Sequence, residues 1–229
     1  MHVVRRVLGL LDLIVPPTCA ACGLPGPAMC AECTGAIARP GAVGCLRCGH
    51  PWTVSTTRCS ECPPRIDRLR FAAAYVDPLP TVIGALKDRG RRGLAGDLAG
   101  LIANRCASPE HEICLIPVPL TRDRERRRGF NQAALIASHL GETWGCQVVD
   151  MLERIRESPP QRGASATDRV ANVRGAFAVR SDVAIPTEVW LVDDVCTTGA
   201  TLAACALTLH RAGVRRVGAV TVARVLRQP

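Results

Sequence analysis

The residues best suited to chemistry form one string, Asp193-Asp194-Val195-Cys196-Thr197-Thr198-Gly199-Ala200-Thr201, which follows the apolar run Val189 to Val192. Small residues and a glycine at Thr197 to Thr201 let successive backbone N–H groups converge at a helix N-terminus, where the dipole also favours an anion. Threonine hydroxyls add donors. Two carboxylates would repel a bare phosphate, so the pattern calls for a ligand that carries hydroxyls, or a divalent cation, next to its phosphate. A ribose 5-phosphate has that shape. Asp193 and Asp194 would accept hydrogen bonds from its 2- and 3-hydroxyls, or hold Mg²⁺ through water, while the loop takes the 5-phosphate. Other phosphate loops fit less well, because GxxxxGK[ST] is absent and one glycine cannot make the dinucleotide fingerprint. The plain alternative is a strand-to-helix turn with a capping threonine. The complete string behind an apolar strand favours the ligand.

A second chemistry lies in the cysteines. Eight of the thirteen fall in the first 62 residues, all in CxxC pairs: Cys19/Cys22, Cys30/Cys33, Cys45/Cys48 and Cys59/Cys62. Each pair puts two thiolates on one tight turn, giving two corners of a zinc tetrahedron. Gly23 and Gly49, just after a pair, let the backbone turn under the sulfurs. Redox dithiols are the competing reading, and four consecutive pairs exceed what that chemistry needs. The spacing leaves open one or two ions, and sequential or interleaved pairing. All-cysteine zinc has no open position, so the sites are structural. The isolated Cys106, Cys114, Cys146, Cys196 and Cys205 read as small buried hydrophobes.

A third group is the arginine run Arg122, Arg124, Arg126, Arg127 and Arg128, between the proline-stiffened ICLIPVPL and Gly129-Phe130-Asn131-Gln132. Read as a loop beyond a buried strand, it is a candidate pyrophosphate site, with Arg122 and Arg128 the preferred ligands. A solvated helix face is the alternative for any single arginine. The long polar segment from Arg154 to Phe177 reads as a lid, whose Gln161 and Arg162 could contact a phosphate ligand and whose closure would exclude water.

These residues need a frame. Pro63-Pro64 closes the cysteine-rich part, and the boundary is placed at residues 63–68. Apolar patterning then predicts strands at Phe71–Val76, Ile113–Val118, Cys146–Leu152, Phe177–Val179, Val189–Val192 and Val217–Val222. Helices are expected at Leu79–Lys87, Leu94–Cys106 and 131–143. Continuous apolar strands alternating with helices predict an α/β domain with a buried parallel sheet. The organisation expected is an N-terminal helix and double zinc ribbon over 1–66 and an α/β domain over 67–229.

Composition sets the limits. A chain of 229 residues, 48% hydrophobic and 21% charged, can bury a core and is neither disordered nor a large multidomain machine. The net charge of +9 is almost all arginine, since Lys87 is the only lysine. Arginine's planar fork suits phosphate, so polyanions are the expected partners. Aromatics at 3% argue against a stacking surface for single strands, leaving electrostatic binding if nucleic acid is a ligand. In residues 1–17, Asp12 interrupts the apolar run and no small-x-small cleavage site follows. A short amphipathic docking helix is expected there rather than a signal peptide. No stretch approaches a membrane span of about 20 apolar residues, and a cytoplasmic chain is expected.

The order of cysteine frame, PVPL…RGFNQ, PPQ…NVRGAF and LVDDVCTTGAT resembles the ComF (ComFC/GntX-like) family of bacterial competence-associated proteins. The final string is similar to the phosphoribosyl pyrophosphate (PRPP) signature of type I phosphoribosyltransferases. The resemblance covers nearly the whole chain and implies a zinc ribbon before a type I phosphoribosyltransferase-like domain. It implies PRPP contacts at Asp193, Asp194, Val195, Thr197, Thr198, Gly199, Ala200 and Thr201, with Mg²⁺ alongside, and the two aspartates as the catalytic pair. It also implies a link to uptake and handling of transforming DNA, with single-stranded DNA and competence-system proteins as partners. The chain departs from the family at Gly163-Ala164-Ser165, where Gly-Leu-Ser is commoner, and at Cys196, where valine or tyrosine is. A phosphoribosyltransferase of unknown acceptor is the leading expectation. The alternative is a nonenzymatic DNA-handling protein that keeps the phosphate pocket as a sensor or dock.

Overall fold

A computed structural model describes residues 17–41, 44–51, 57–109, 113–156, 175–181 and 183–226. The expected amphipathic helix at the amino terminus and the Gln161/Arg162 segment lie outside them. After a short helix, α1 (Ala31–Ala36), the chain runs through β1 (Arg68–Ala74), α2 (Leu79–Asp88), α3 (Leu94–Arg105) and β2 (Cys114–Pro117). It continues with α4 (Arg122–Arg128), α5 (Gln132–Trp144), β3 (Gln147–Val148), β4 (Leu152–Arg154), β5 (Phe177–Val179), β6 (Glu188–Cys196), α6 (Ala200–Arg211) and β7 (Arg216–Arg224).

Five strands form one parallel sheet in the order β1-β7-β6-β2-β3, while β4 and β5 pair antiparallel in a separate two-stranded arm. The central strands are apolar on both faces, as a sheet covered by helices on both sides requires. Alternation splits their side chains. Trp190 and Val192 of β6 join the core under α2, α3 and α5, and Val189 and Leu191 join the core under α6. The expected α/β class with a parallel sheet and N-terminal cysteine clusters is therefore present.

Two elements differ from expectation. The predicted strand Cys146–Leu152 is divided: β3 extends the main sheet and β4 belongs to the arm. The arginine run, expected as a loop, is helical. Thr121 caps it by accepting from the Arg124 N–H at 3.3 Å, and Gly129, at φ +75°, ends it in the left-handed conformation.

The sheet order places a topological switch between β2 and β6. The chain leaves β2 through α5 toward β3 on one side and leaves β6 through α6 toward β7 on the other. The two helices lie on opposite faces, which opens a crevice beyond the carboxyl ends of β2 and β6.

Candidate functional site at the switch point

β6 runs past the expected end at Val192 and holds both aspartates within the strand, where Asp193 lies opposite Thr221 and Val195 opposite Ala223 of β7. Each carboxylate accepts one local N–H: Asp193 Oδ1 from Asp194 at 2.9 Å, and Asp194 Oδ1 from Val195 at 2.9 Å. Asp194 is buried and its Oδ2 forms an ion pair with Lys87 Nζ. Burial, and then the neighbouring Asp194 charge, push the Asp193 carboxyl well above the ordinary carboxylate range, against the opposing pull of Lys87.

The turn that follows joins β6 to α6, as both the phosphate-loop and the capping-threonine readings expect. Thr198 Oγ1 accepts from the Ala200 N–H at 3.3 Å, Gly199 adopts φ +74°, and α6 begins at Ala200 with its axis directed away from the turn. Thr197 is exposed and Thr201 half-buried. Cys196 is buried beneath, and burial pushes its thiol up to about 11, which keeps it protonated and unreactive at neutral pH.

The sole lysine was not among the residues singled out in the sequence. It lines a recess of about 510 Å³ with Asp88, Gly90, Arg124, Arg127, Arg128 and Gln132. Arg128 is held there by Gln132 Oε1 at 2.5 Å and by Asp88 at 3.6 Å. The recess therefore collects Arg128 with Arg124 and Arg127. Arg122 lies on the other side of α4, in an ion pair with Glu153 of the arm at 3.6 Å, and lines a separate cavity with Asp150 and Arg180. Asn131 joins α4 and α5 to the sheet: its Nδ2 donates to the Val118 carbonyl at 3.0 Å while its Oδ1 accepts from the Ala133 N–H at 2.9 Å.

The cysteines form two groups, Cys19/Cys22/Cys30/Cys33 and Cys45/Cys48/Cys59/Cys62, and in each all sulfurs lie within 4.8 Å of one another. Sulfur separations of 4.0 Å for Cys22–Cys30 and 3.5 Å for Cys45–Cys62 and Cys48–Cys59 bracket the edge of about 3.8 Å expected of a zinc–thiolate tetrahedron. Each group can hold one structural zinc, and the pairing is sequential. Gly23 and Gly49, at φ +76° and +65°, make the expected knuckle turns.

The second cysteine group is built into the wall of the crevice. Arg224, buried at the end of β7, donates to the Cys48 carbonyl and to the Glu61 carbonyl, the latter at 2.6 Å. Pro63, next to Cys62 of the second cysteine group, packs against the turn so closely that a Cβ on Gly199 would lie 2.6 Å from its Cγ. The glycine serves both the left-handed turn and this approach.

A cysteine-clustered α/β protein with a basic crevice at a parallel-sheet switch point is the class that these features define. The comparisons give the family. No family model matches the chain. It is 34% identical over 93% of its length to the whole of the DNA utilization protein YhgH of Escherichia coli O157:H7. It is 32% identical over 79% of its length to competence protein F of Haemophilus influenzae, of which 84% is covered. Competence protein ComFC of Streptococcus pneumoniae is 26% identical, over 86% of this chain and 87% of that one. The chain belongs to the family of competence protein F, ComFC and DNA utilization protein YhgH. No helix among the described residues is long and apolar enough to cross a membrane.

Proposed function

We propose that the crevice binds PRPP with Mg²⁺ and transfers its phosphoribosyl group, in a cytoplasmic, competence-related role in handling DNA. The names of the relatives support the biological setting. The observation that carries the chemistry is the ion pair of Lys87 with Asp194, which joins the aspartate strand to the arginine-lined recess at the switch point. In this reading the turn 197–201 takes the 5-phosphate and Asp193 and Asp194 receive the ribose hydroxyls. Lys87, Arg124, Arg127 and Arg128 receive the pyrophosphate.

Transfer breaks the bond between the anomeric carbon and the pyrophosphate oxygen, which keeps the electron pair. A lone pair on the acceptor forms the new bond, and the acceptor's proton passes to solvent. Mg²⁺, when bound, would offset charge on the pyrophosphate. The fixed cations lower the barrier by stabilising charge that grows on the leaving group, with no covalent intermediate.

The test is incubation with PRPP and Mg²⁺ against a panel of nucleobases, amines and oligonucleotides, with pyrophosphate release measured. Release that depends on one acceptor and is lost in Asp193→Asn/Asp194→Asn establishes the transferase. PRPP binding without release from any acceptor establishes the sensor or dock instead.

A further inference from the structure

The end of β7 carries a cation that the sugar-phosphate reading does not use. Arg224 is 2% exposed, the one buried arginine among the described residues, and none of their carboxylates pairs with it. Its main chain is tied on both sides: the Tyr75 N–H donates to its carbonyl at 2.7 Å, and the N–H of the next residue, Val225, donates to the Cys196 carbonyl at 2.9 Å. From this anchored strand the side chain reaches the second cysteine group. Its two terminal nitrogens donate to the carbonyls of Cys48 and Glu61, and its guanidinium lies 5.8 Å from the centre of the Phe71 ring. The Cys45–Cys48 knuckle rests on the same ring, where a Cβ on Gly49 would lie 3.0 Å away. The remaining nitrogen, Nε, is buried and has no partner among the described residues.

Carbonyls and a ring orient a guanidinium without cancelling its charge. Arginine cannot shed its proton to escape the cost of burial, so a counter-charge must lie close by. Cys196, opposite Arg224 in the register of β6 and β7, is held protonated by burial and does not supply it. The group Cys45/Cys48/Cys59/Cys62 does, once it holds a metal. Cys48 is a member of that group, and Glu61 precedes another, Cys62. Four thiolates outweigh the charge of one divalent ion, so such a centre carries an excess of negative charge. Three of its four cysteines are buried, where water screens that excess poorly. In the first group Cys22 is exposed and Cys30 and Cys33 are half-buried, so solvent serves the same purpose there.

We infer that Arg224 is the counter-charge of a metal centre held by Cys45, Cys48, Cys59 and Cys62, and that its positive charge, beyond its two carbonyl contacts, sets how tightly that centre holds zinc. Residues that support metal ligands from outside commonly change affinity by about 10–100-fold. The dependence runs both ways. Without the cation the centre keeps its excess charge in a dry surrounding, and without the centre the guanidinium is a buried charge alone.

The test competes zinc from the full, zinc-loaded chain with a chromophoric chelator, and Cys59→Ser/Cys62→Ser supplies the affinity of the first centre alone. Arg224→Gln keeps an amide donor and removes the charge, whereas Arg224→Lys keeps the charge and gives up the planar fork. Arg224→Gln is expected to weaken the second zinc by about 10–100-fold and leave the first at its wild-type affinity. Arg224→Lys is expected to retain most of the affinity. Equal weakening by both substitutions would assign the effect to the carbonyl contacts and overturn the proposal, as would an unchanged affinity in Arg224→Gln. A second arm reads a sign by thermal melts. Arg224→Met is expected to lower Tm in the zinc-loaded wild type and to raise it in Cys59→Ser/Cys62→Ser, where the guanidinium has lost its counter-charge. A side chain that only braces two carbonyls would lower Tm in both backgrounds, and that result would contradict the proposal. If the loaded Arg224 variants do not fold, the comparison within the Cys59→Ser/Cys62→Ser background decides alone. Neither PRPP nor an acceptor enters these measurements, so their outcome is independent of the transferase reading.

Discussion

Lys87, at the end of α2, is ion-paired with Asp194, inside β6 and almost wholly buried. The pair draws the chain's single lysine to the carboxyl end of the sheet and lets a strand carry two adjacent carboxylates into the core. Removing the cation from such a buried carboxylate leaves its charge without compensation. Lys87→Met is therefore expected to cost about 3 kcal/mol. For a chain of this size that lowers Tm by about 6–12 °C. Adding Asp194→Asn is expected to recover most of the loss, and thermal melts of the two single variants and the double variant measure this coupling.

Gly199 is the point at which the turn and the cysteine-rich segment meet. Gly199→Ala places a side chain in the left-handed region, at about 1–2 kcal/mol, and drives its Cβ into Pro63, at about 1–3 kcal/mol of overpacking. The expected outcome is a destabilised protein whose PRPP affinity falls. Pro63→Gly/Gly199→Ala relieves the clash and keeps the backbone strain, so denaturant titration should place it between the wild type and the single variant.

Metal held by the second cysteine group would support the crevice through Cys62-Pro63 and through Arg224. Chelation, or Cys59→Ser/Cys62→Ser, is expected to speed amide hydrogen exchange at 197–201 as well as around the cysteines. Metal analysis should give two zinc ions per chain for the wild type and one for this variant. Protection at 197–201 that is unaffected by loss of the metal would contradict the link.

Much of this arrangement can be read from local sequence, and the exceptions share a cause. The helices α2, α3 and α5 and the strands β1, β2, β5 and β7 follow from apolar patterning to within a few residues. The knuckle glycines and the glycine turn at Thr198-Gly199 follow from the turn chemistry that their spacing announces. Local patterning ends β6 at Val192, since two charges normally end an apolar strand. It continues because β7 pairs with it as far as Arg224 and Lys87 supplies the countercharge, both long-range facts. The helical arginine run did leave a local signal, Thr121 at one end and Gly129 at the other, which outweighs its charge. Sequential pairing of the cysteines could not be had from spacing, since it depends on which pairs the folded chain brings together.

The raised carboxyl of Asp193 gives a pH dependence with a definite sign. Its folded-state pKa lies above the unfolded value, so the native state holds the extra proton between the two, and this group's contribution to stability falls as pH rises through that window. Ligand hydroxyls or a cation favour the ionised form, so PRPP binding should strengthen as pH rises through the raised pKa and should release a proton. Calorimetry in two buffers of different ionisation enthalpy measures that release. Asp193→Asn is expected to abolish it.

Calorimetric titration of PRPP with Mg²⁺ tests most directly the sugar-phosphate site proposed on Asp193 and Asp194 at the switch point. The wild type should bind one PRPP per chain, Asp193→Asn/Asp194→Asn should show no binding heat, and the folded state of the variant is to be checked by its melt. Equal binding by the folded double variant, or none by the wild type, would contradict the claim.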